Sequence, residues 1–116
     1  MKIRIKGNSL RYRLTKTDIK MVEEKGYLEE STSFGPQKLV YALEVKPVEH
    51  MSATFNDGKI TLYITDAMAR EWVNTDRVSF ESNNNGLALL VEKDFTCLEN
   101  VAEDQSDNYP NPLAHF

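Results

Sequence analysis

Lys2-Ile-Arg-Ile-Lys-Gly-Asn-Ser-Leu-Arg-Tyr-Arg-Leu14 is the stretch that decides the fold. Residues 2–6 and 9–14 both alternate apolar with polar side chains, the period of a strand whose two faces meet different surroundings. Gly7-Asn8 separates them. A two-residue loop with Gly first fits a type II′ hairpin turn, because Gly accepts the positive φ of that position. The loop fixes a register: Lys6 opposite Ser9, Ile5 opposite Leu10, Arg4 opposite Arg11, Ile3 opposite Tyr12 and Lys2 opposite Arg13. One face of the hairpin is then apolar and the other is basic.

Downstream of this hairpin, Thr15 reads as a helix N-cap. Asp18 stands at the capping-box position, and Leu14 and Ile19 are placed for a hydrophobic staple. Ile19 and Val22 supply the buried stripe, and Gly26 suits the left-handed residue that ends a helix. Tyr27–Phe34 and Lys38–Val45 read as strands around a Gly35-Pro36 turn, and Pro47 stops the run. The order then recurs. Met51–Asn56 and Lys59–Ile64 flank Asp57-Gly58, a strong type I′ signal. This pairs Phe55 with Ile60, Ala53 with Leu62 and Met51 with Ile64. Thr65 caps a helix through Val73 with Met68 and Trp72 one turn apart, and Arg77–Asn83 and Leu87–Phe95 flank an Asn84-Asn85-Gly86 turn.

Two strand–strand–helix–strand–strand units, 1–49 and 50–98, are therefore expected in tandem within one β-rich domain, 1–99. The units agree in pattern rather than in letters, so two unrelated β-rich halves are the competing reading. The fold expected is α+β: a barrel or sandwich of about eight strands with two short helices. Residues 100–116 have neither period and few apolar side chains, and are expected to form an acidic, Pro-containing tail.

Composition narrows the class. Over 116 residues, a hydrophobic content of 41% with 28% charged residues is ordinary for a globular domain rather than a disordered one. Cys97 is the sole cysteine, so no disulfide forms within the chain. The sequence contains no uninterrupted apolar stretch suited to a signal peptide or a membrane span, which points to a cytoplasmic protein with no membrane partner. The net charge of −4 conceals an asymmetry: residues 1–50 sum to +3 and residues 51–116 to −7.

The basic hairpin face is the candidate site, an anion-binding set of Lys2, Arg4, Lys6, Asn8, Arg11 and Arg13. Arg4 opposite Arg11 and Lys2 opposite Arg13 place like charges directly across a strand pair, which destabilises it. Three surroundings can accommodate such a face: an external polyanion such as DNA, carboxylates from the same chain or an acidic partner protein, or plain solvent. The first gives a non-enzymatic binding module, and the second an interaction or assembly factor.

No catalytic residues, metal ligands or cofactors are expected. Cys97 with His50 or His115 lacks any surrounding signature of a nucleophile and base. Asp104, Asp107 and Asn108 lack the Gly and terminal Glu of a calcium loop. Tyr12, Tyr41, Phe55, Tyr63, Trp72 and Phe80 mostly fall on apolar faces and read as core. If both units close within one chain, a monomer is expected.

The opening segment 2–14, the segment Glu92-Lys-Asp-Phe-Thr-Cys-Leu98 and the ending Glu103-Asp-Gln-Ser-Asp-Asn-Tyr-Pro-Asn-Pro112 together resemble a family of small bacterial proteins of unknown function. That resemblance implies no activity. Residues 2–46, through Gly7-Asn8-Ser9, Arg13, the short helix and two strands, are more distantly similar to the AbrB-like swapped-hairpin family of DNA-binding regulators and antitoxins. That likeness implies DNA contacts from Arg4, Asn8 and Arg13, and two units in tandem in place of a dimer. The second unit has Asp57-Gly58-Lys59 where the first has Gly7-Asn8-Ser9.

Overall fold

Gly7 adopts φ 55°, as the Gly-first turn requires, and β1 (Lys2–Lys6) and β2 (Ser9–Leu14) pair around it in the expected register throughout. The computed structural model describes residues 1–94. Thr15 then caps α1 (Lys16–Lys25): its Oγ1 accepts from the Asp18 backbone N–H at 3.2 Å, and the Asp18 carboxylate accepts from the Thr15 N–H at 3.0 Å. Shortening Glu to Asp therefore still closes the capping box. Gly26, at φ 72°, ends the helix and donates its N–H to the Val22 carbonyl at 2.7 Å. β3 (Tyr27–Ser33) and β4 (Lys38–Lys46) complete the first half.

The second half repeats the order with β5 (Ser52–Asn56), β6 (Lys59–Thr65), α2 (Asp66–Asn74), β7 (Ser79–Asn84) and β8 (Leu87–Lys93). Asp57 and Gly58 both take positive φ, 51° and 75°, as a type I′ turn demands. Asn85 and Gly86 do the same at 55° and 90°. The last turn is thus two residues rather than three, and Asn84 pairs with Leu87 as the final rung of its ladder.

β7 begins two residues later than expected, because 75–78 are held by the end of α2 instead. Thr75 Oγ1 donates to the Glu71 carbonyl at 2.7 Å and Arg77 reaches the Glu71 carboxylate at 3.2 Å. The Trp72 indole N–H donates to the Val78 carbonyl at 3.1 Å. Phe95, the expected end of β8, lies outside the described residues, as does 100–116.

The hairpins do not stay within their own halves. One sheet has the order β1-β2-β8-β7 and the other β3-β4-β6-β5. Each contains one hairpin from each half, joined through a central parallel pair, β2 with β8 and β4 with β6. Exchanging the first four strands for the last four converts one order into the other. The barrel expectation is corrected: neither sheet closes, and β1, β7, β3 and β5 remain edges. The ladders end there because no further strand among the described residues offers its backbone to them.

The two sheets and both helices share one core built on Trp72, Tyr12, Leu14, Leu43, Met51, Leu62, Ile64, Leu89, Val22 and Val91. Fully burying a side chain of this kind contributes roughly 1.5–3 kcal/mol. Tyr12 of the first sheet meets Tyr41 of the second edge to face at 6.3 Å, and its hydroxyl donates to the Ile60 carbonyl at 3.3 Å. Trp72 packs edge to face on Phe80 at 5.7 Å, fixing α2 against β7.

Two apolar residues depart from the core reading. Ile5 is 60% exposed and Phe55 67% exposed. Both lie near the turn end of an edge strand. Tyr63 lies on the opposite face from its neighbour Leu62, beneath Lys46, whose Nζ is 3.9 Å from the ring centroid.

Asp18 also joins α1 to β1. Its carboxylate lies 2.8 Å from the Met1 α-amino group, which meets Glu30 on β3 at 2.6 Å. Burial alone would raise the Asp18 pKa, but bonds from the amino group and from Thr15 outweigh it and hold it below the ordinary carboxylate value. A lowered folded value contributes stability above the unfolded pKa and loses it as pH falls through the folded one. Asp18→Asn should therefore lower the melting temperature at neutral pH and flatten the acid limb of a stability–pH curve measured by circular dichroism.

A backbone test follows from the turns. A Cβ at Gly58 would sit 3.3 Å from the Lys38 carbonyl oxygen and one at Gly7 would meet nothing within 4 Å, but both positions take positive φ, 75° and 55°. Gly58→Ala and Gly7→Ala should each cost about 1–2 kcal/mol in urea unfolding, although only the first crowds a neighbouring atom.

Candidate anion-binding face

Residues paired across a ladder point to the same side, so the registers lay out the outer face of the first sheet row by row. The first row is Lys2, Arg13, Glu92 and Ser79. The second is Arg4, Arg11, Leu90 and Glu81, and the third is Lys6, Ser9, Ala88 and Asn83. The five cations expected on this face all lie there, on adjacent strands, and the chain's own carboxylates enter it from β8 and β7.

Glu92 is the pivot. Its Oε1 accepts from Arg13 Nε at 2.8 Å and lies 3.8 Å from Arg11 Nε. Asp94, just past β8, lies 3.3 Å from Lys2 Nζ, and its backbone N–H donates to the Leu14 carbonyl at 2.8 Å. Glu92 and Asp94 bring counter-charge to the first row, where Lys2 opposes Arg13. Carboxylates concentrate at the Lys2 and Arg13 end, and Lys6 is exposed at the turn end.

Asn8 has a different task from the other five. Its side-chain amide donates to the Gly86 carbonyl at 2.7 Å, and its carbonyl accepts the Ala88 N–H at 3.0 Å. It ties the β1–β2 turn to the β7–β8 turn and so starts the parallel pairing.

Glu81, Glu92 and Asp94 are the members of this face that sequence reasoning left unnamed. Their carboxylates come from 79 residues beyond Arg13 in the case of Glu92. Nothing in either hairpin alone specifies which strand will lie beside β2.

The remaining candidates fall elsewhere. His50 is exposed in the β4–β5 connection, its ring 4.0 Å from Glu49. Cys97, His115, Asp104, Asp107 and Asn108 lie outside the described residues. Among the described residues no group of three or more His, Cys, Asp or Glu could hold a metal ion, and no helix is long and apolar enough to cross a membrane.

The fold defines a β-rich α+β protein made of two open four-stranded sheets and two helices. The chain belongs to a family of unknown function, DUF7009, whose model matches residues 1–113. No curated protein and no solved structure matches it.

Glu92 should be the most sensitive residue of the face. Glu92→Gln removes the counter-charge shared by Arg11 and Arg13, and should lower unfolding free energy by about 1 kcal/mol in low salt. Urea melts should show that loss shrinking as salt screens the guanidinium pair.

Proposed function

We propose that this chain is a non-enzymatic binding module that presents the outer face of β1 and β2 to an anionic partner, duplex DNA being the leading class. The observation that carries this reading is the row layout: among the described residues, five cations lie on two adjacent strands with Glu81, Glu92 and Asp94 beside them.

Exchange of hairpins between the halves supports a finer reading, a single-chain counterpart of the AbrB-like swapped-hairpin dimers. On that reading the protein is monomeric and cytoplasmic. The residues carried over are Arg4, Asn8 and Arg13. Arg13 meets Glu92 and Asn8 meets Gly86, so a phosphate bound at either would compete with these contacts.

A second reading draws on Glu92 and Asp94. If these carboxylates serve to neutralise the face, the chain is a protein-interaction or assembly factor and its cations are structural.

Fluorescence anisotropy with a labelled duplex separates the two. The first reading predicts saturable binding whose log affinity falls linearly with log salt, with a slope of roughly −0.9 per phosphate contacted. Arg4→Ala, Lys6→Ala and Arg11→Ala together should flatten that slope while circular dichroism stays unchanged. No binding in low salt, with substitutions that lower stability instead, would establish the second reading.

A further inference from the structure

We propose that Asn85 is a self-modification site held shut by the fold: it converts to isoaspartate when the β7–β8 turn opens, and the product weakens the joint between the two hairpins of the first sheet. This holds whatever the basic face binds.

The chemistry needs an asparagine followed by an unhindered backbone nitrogen. Asn85-Gly86 is the one Asn-Gly step in the sequence, and both residues are exposed. The Gly86 nitrogen attacks the Asn85 side-chain carbonyl carbon and loses its proton, and the side-chain nitrogen leaves as ammonia. A five-membered succinimide results. Water then opens the ring. Attack at the side-chain carbonyl gives aspartate in an ordinary chain, and attack at the main-chain carbonyl leaves the chain running through Cβ as isoaspartate. Water is the sole co-reactant.

Three features of the fold oppose the first step. Asn85 and Gly86 take φ of 55° and 90°. These are the angles of a type I′ turn, whose first central residue has ψ of about +30°. With tetrahedral geometry at Cα, that ψ puts the Gly86 nitrogen nearly opposite Asn85 Cβ across the Cα–C bond, whereas ring closure needs the two eclipsed. The nucleophile is also engaged, because the Gly86 N–H donates to Asn83 Oδ1 at 2.9 Å. Finally, the Gly86 carbonyl accepts from the Asn8 side-chain amide at 2.7 Å. Rotating Asn85 toward attack breaks the first bond and pulls Gly86 away from the second.

The product cannot restore this turn. Isoaspartate adds a backbone atom to a two-residue loop that must let Asn84 pair with Leu87. Gly86 then no longer meets Asn8, whose own carbonyl accepts the Ala88 N–H at 3.0 Å. Those two contacts start the β2–β8 pairing, so the change loosens the first sheet where its hairpins join. Opening permits modification and modification favours opening.

The test ages the full-length chain at mildly alkaline pH and cuts it with trypsin, which releases 78–93 with the site inside it. Electron-transfer fragmentation assigns the mass gain to a residue and separates isoaspartate from aspartate. Conversion should occur at Asn85, and more slowly in the folded chain than in the same chain unfolded in urea. Asn83→Ala should raise the folded rate about fivefold, the factor that one hydrogen bond of ordinary net strength supplies. Asn85→Gly suits positive φ and cannot react. Aged parent should therefore melt below fresh parent by circular dichroism, while aged and fresh Asn85→Gly melt alike. Equal rates in the folded and unfolded chain would overturn the proposal, and this comparison decides even if Asn83→Ala fails to fold. Conversion at Asn83 or Asn84 in place of Asn85 would also overturn it, as would unchanged melting in a chain largely converted to isoaspartate.

Discussion

The parallel pairing of β2 with β8, and of β4 with β6, is the constraint on which the remaining structure depends. Hairpins alone are local and marginal, since two strands seldom bury enough apolar surface to stand by themselves. Here each hairpin gains its sheet only by lying beside a hairpin of the other half. That requirement fixes what the core contains: Leu10 and Tyr12 lie in line with Leu89 and Val91, and Leu43 and Val45 with Leu62 and Ile64. It also explains Asn8 and Gly58, two turn residues whose carbonyls accept N–H groups from the neighbouring hairpin, Ala88 and Val40, each at 3.0 Å. The two contacts correspond to one another under exchange of the halves.

The same pairing produces the electrostatics. β8 brings Glu92 within reach of Arg11 and Arg13, the two arginines of β2 that β1 opposes with Arg4 and Lys2. The corresponding face of the second sheet is unlike it. There Glu29 meets Lys59 at 3.6 Å beside Tyr27, and serine and threonine occupy many of the other rows. Two sheets related by strand order have thus taken different chemistries, which separate chains of identical sequence in a symmetric dimer cannot do.

Much of the local structure was legible. Turn chemistry at Gly7-Asn8 and Asp57-Gly58 set registers that the ladders reproduce, and Thr15 with Asp18 announced the first helix start. These features depend on a few neighbouring residues, so a local reading suffices. Ile5 and Phe55 misled, because alternation reports which side of a strand is apolar and not whether anything covers an edge. β7 started late because Arg77 and Thr75 bond to Glu71, a preference for the helix end that strand patterning does not register. The barrel expectation failed for a related reason: closure depends on whether edge strands meet, and no residue of β1 or β7 encodes a missing neighbour. Of the candidate site, the cations and their common face were readable from residues 2–14, and the carboxylates that partner them were not. Glu92 reaches Arg13 through a strand pairing that spans most of the described chain.

That span has a consequence for how the protein is made. Translation proceeds at roughly 5–20 residues per second, so β8 follows β2 out of the ribosome by on the order of 4–16 s. Throughout that interval the first hairpin has an unpartnered backbone edge on β2, and Arg11 and Arg13 lack the Glu92 carboxylate. The first sheet is completed only when the last described strand arrives, and the interval is set by chain order rather than by any property of the hairpin itself. The β2 edge is therefore open to mispairing with strands of other chains for the whole of that interval.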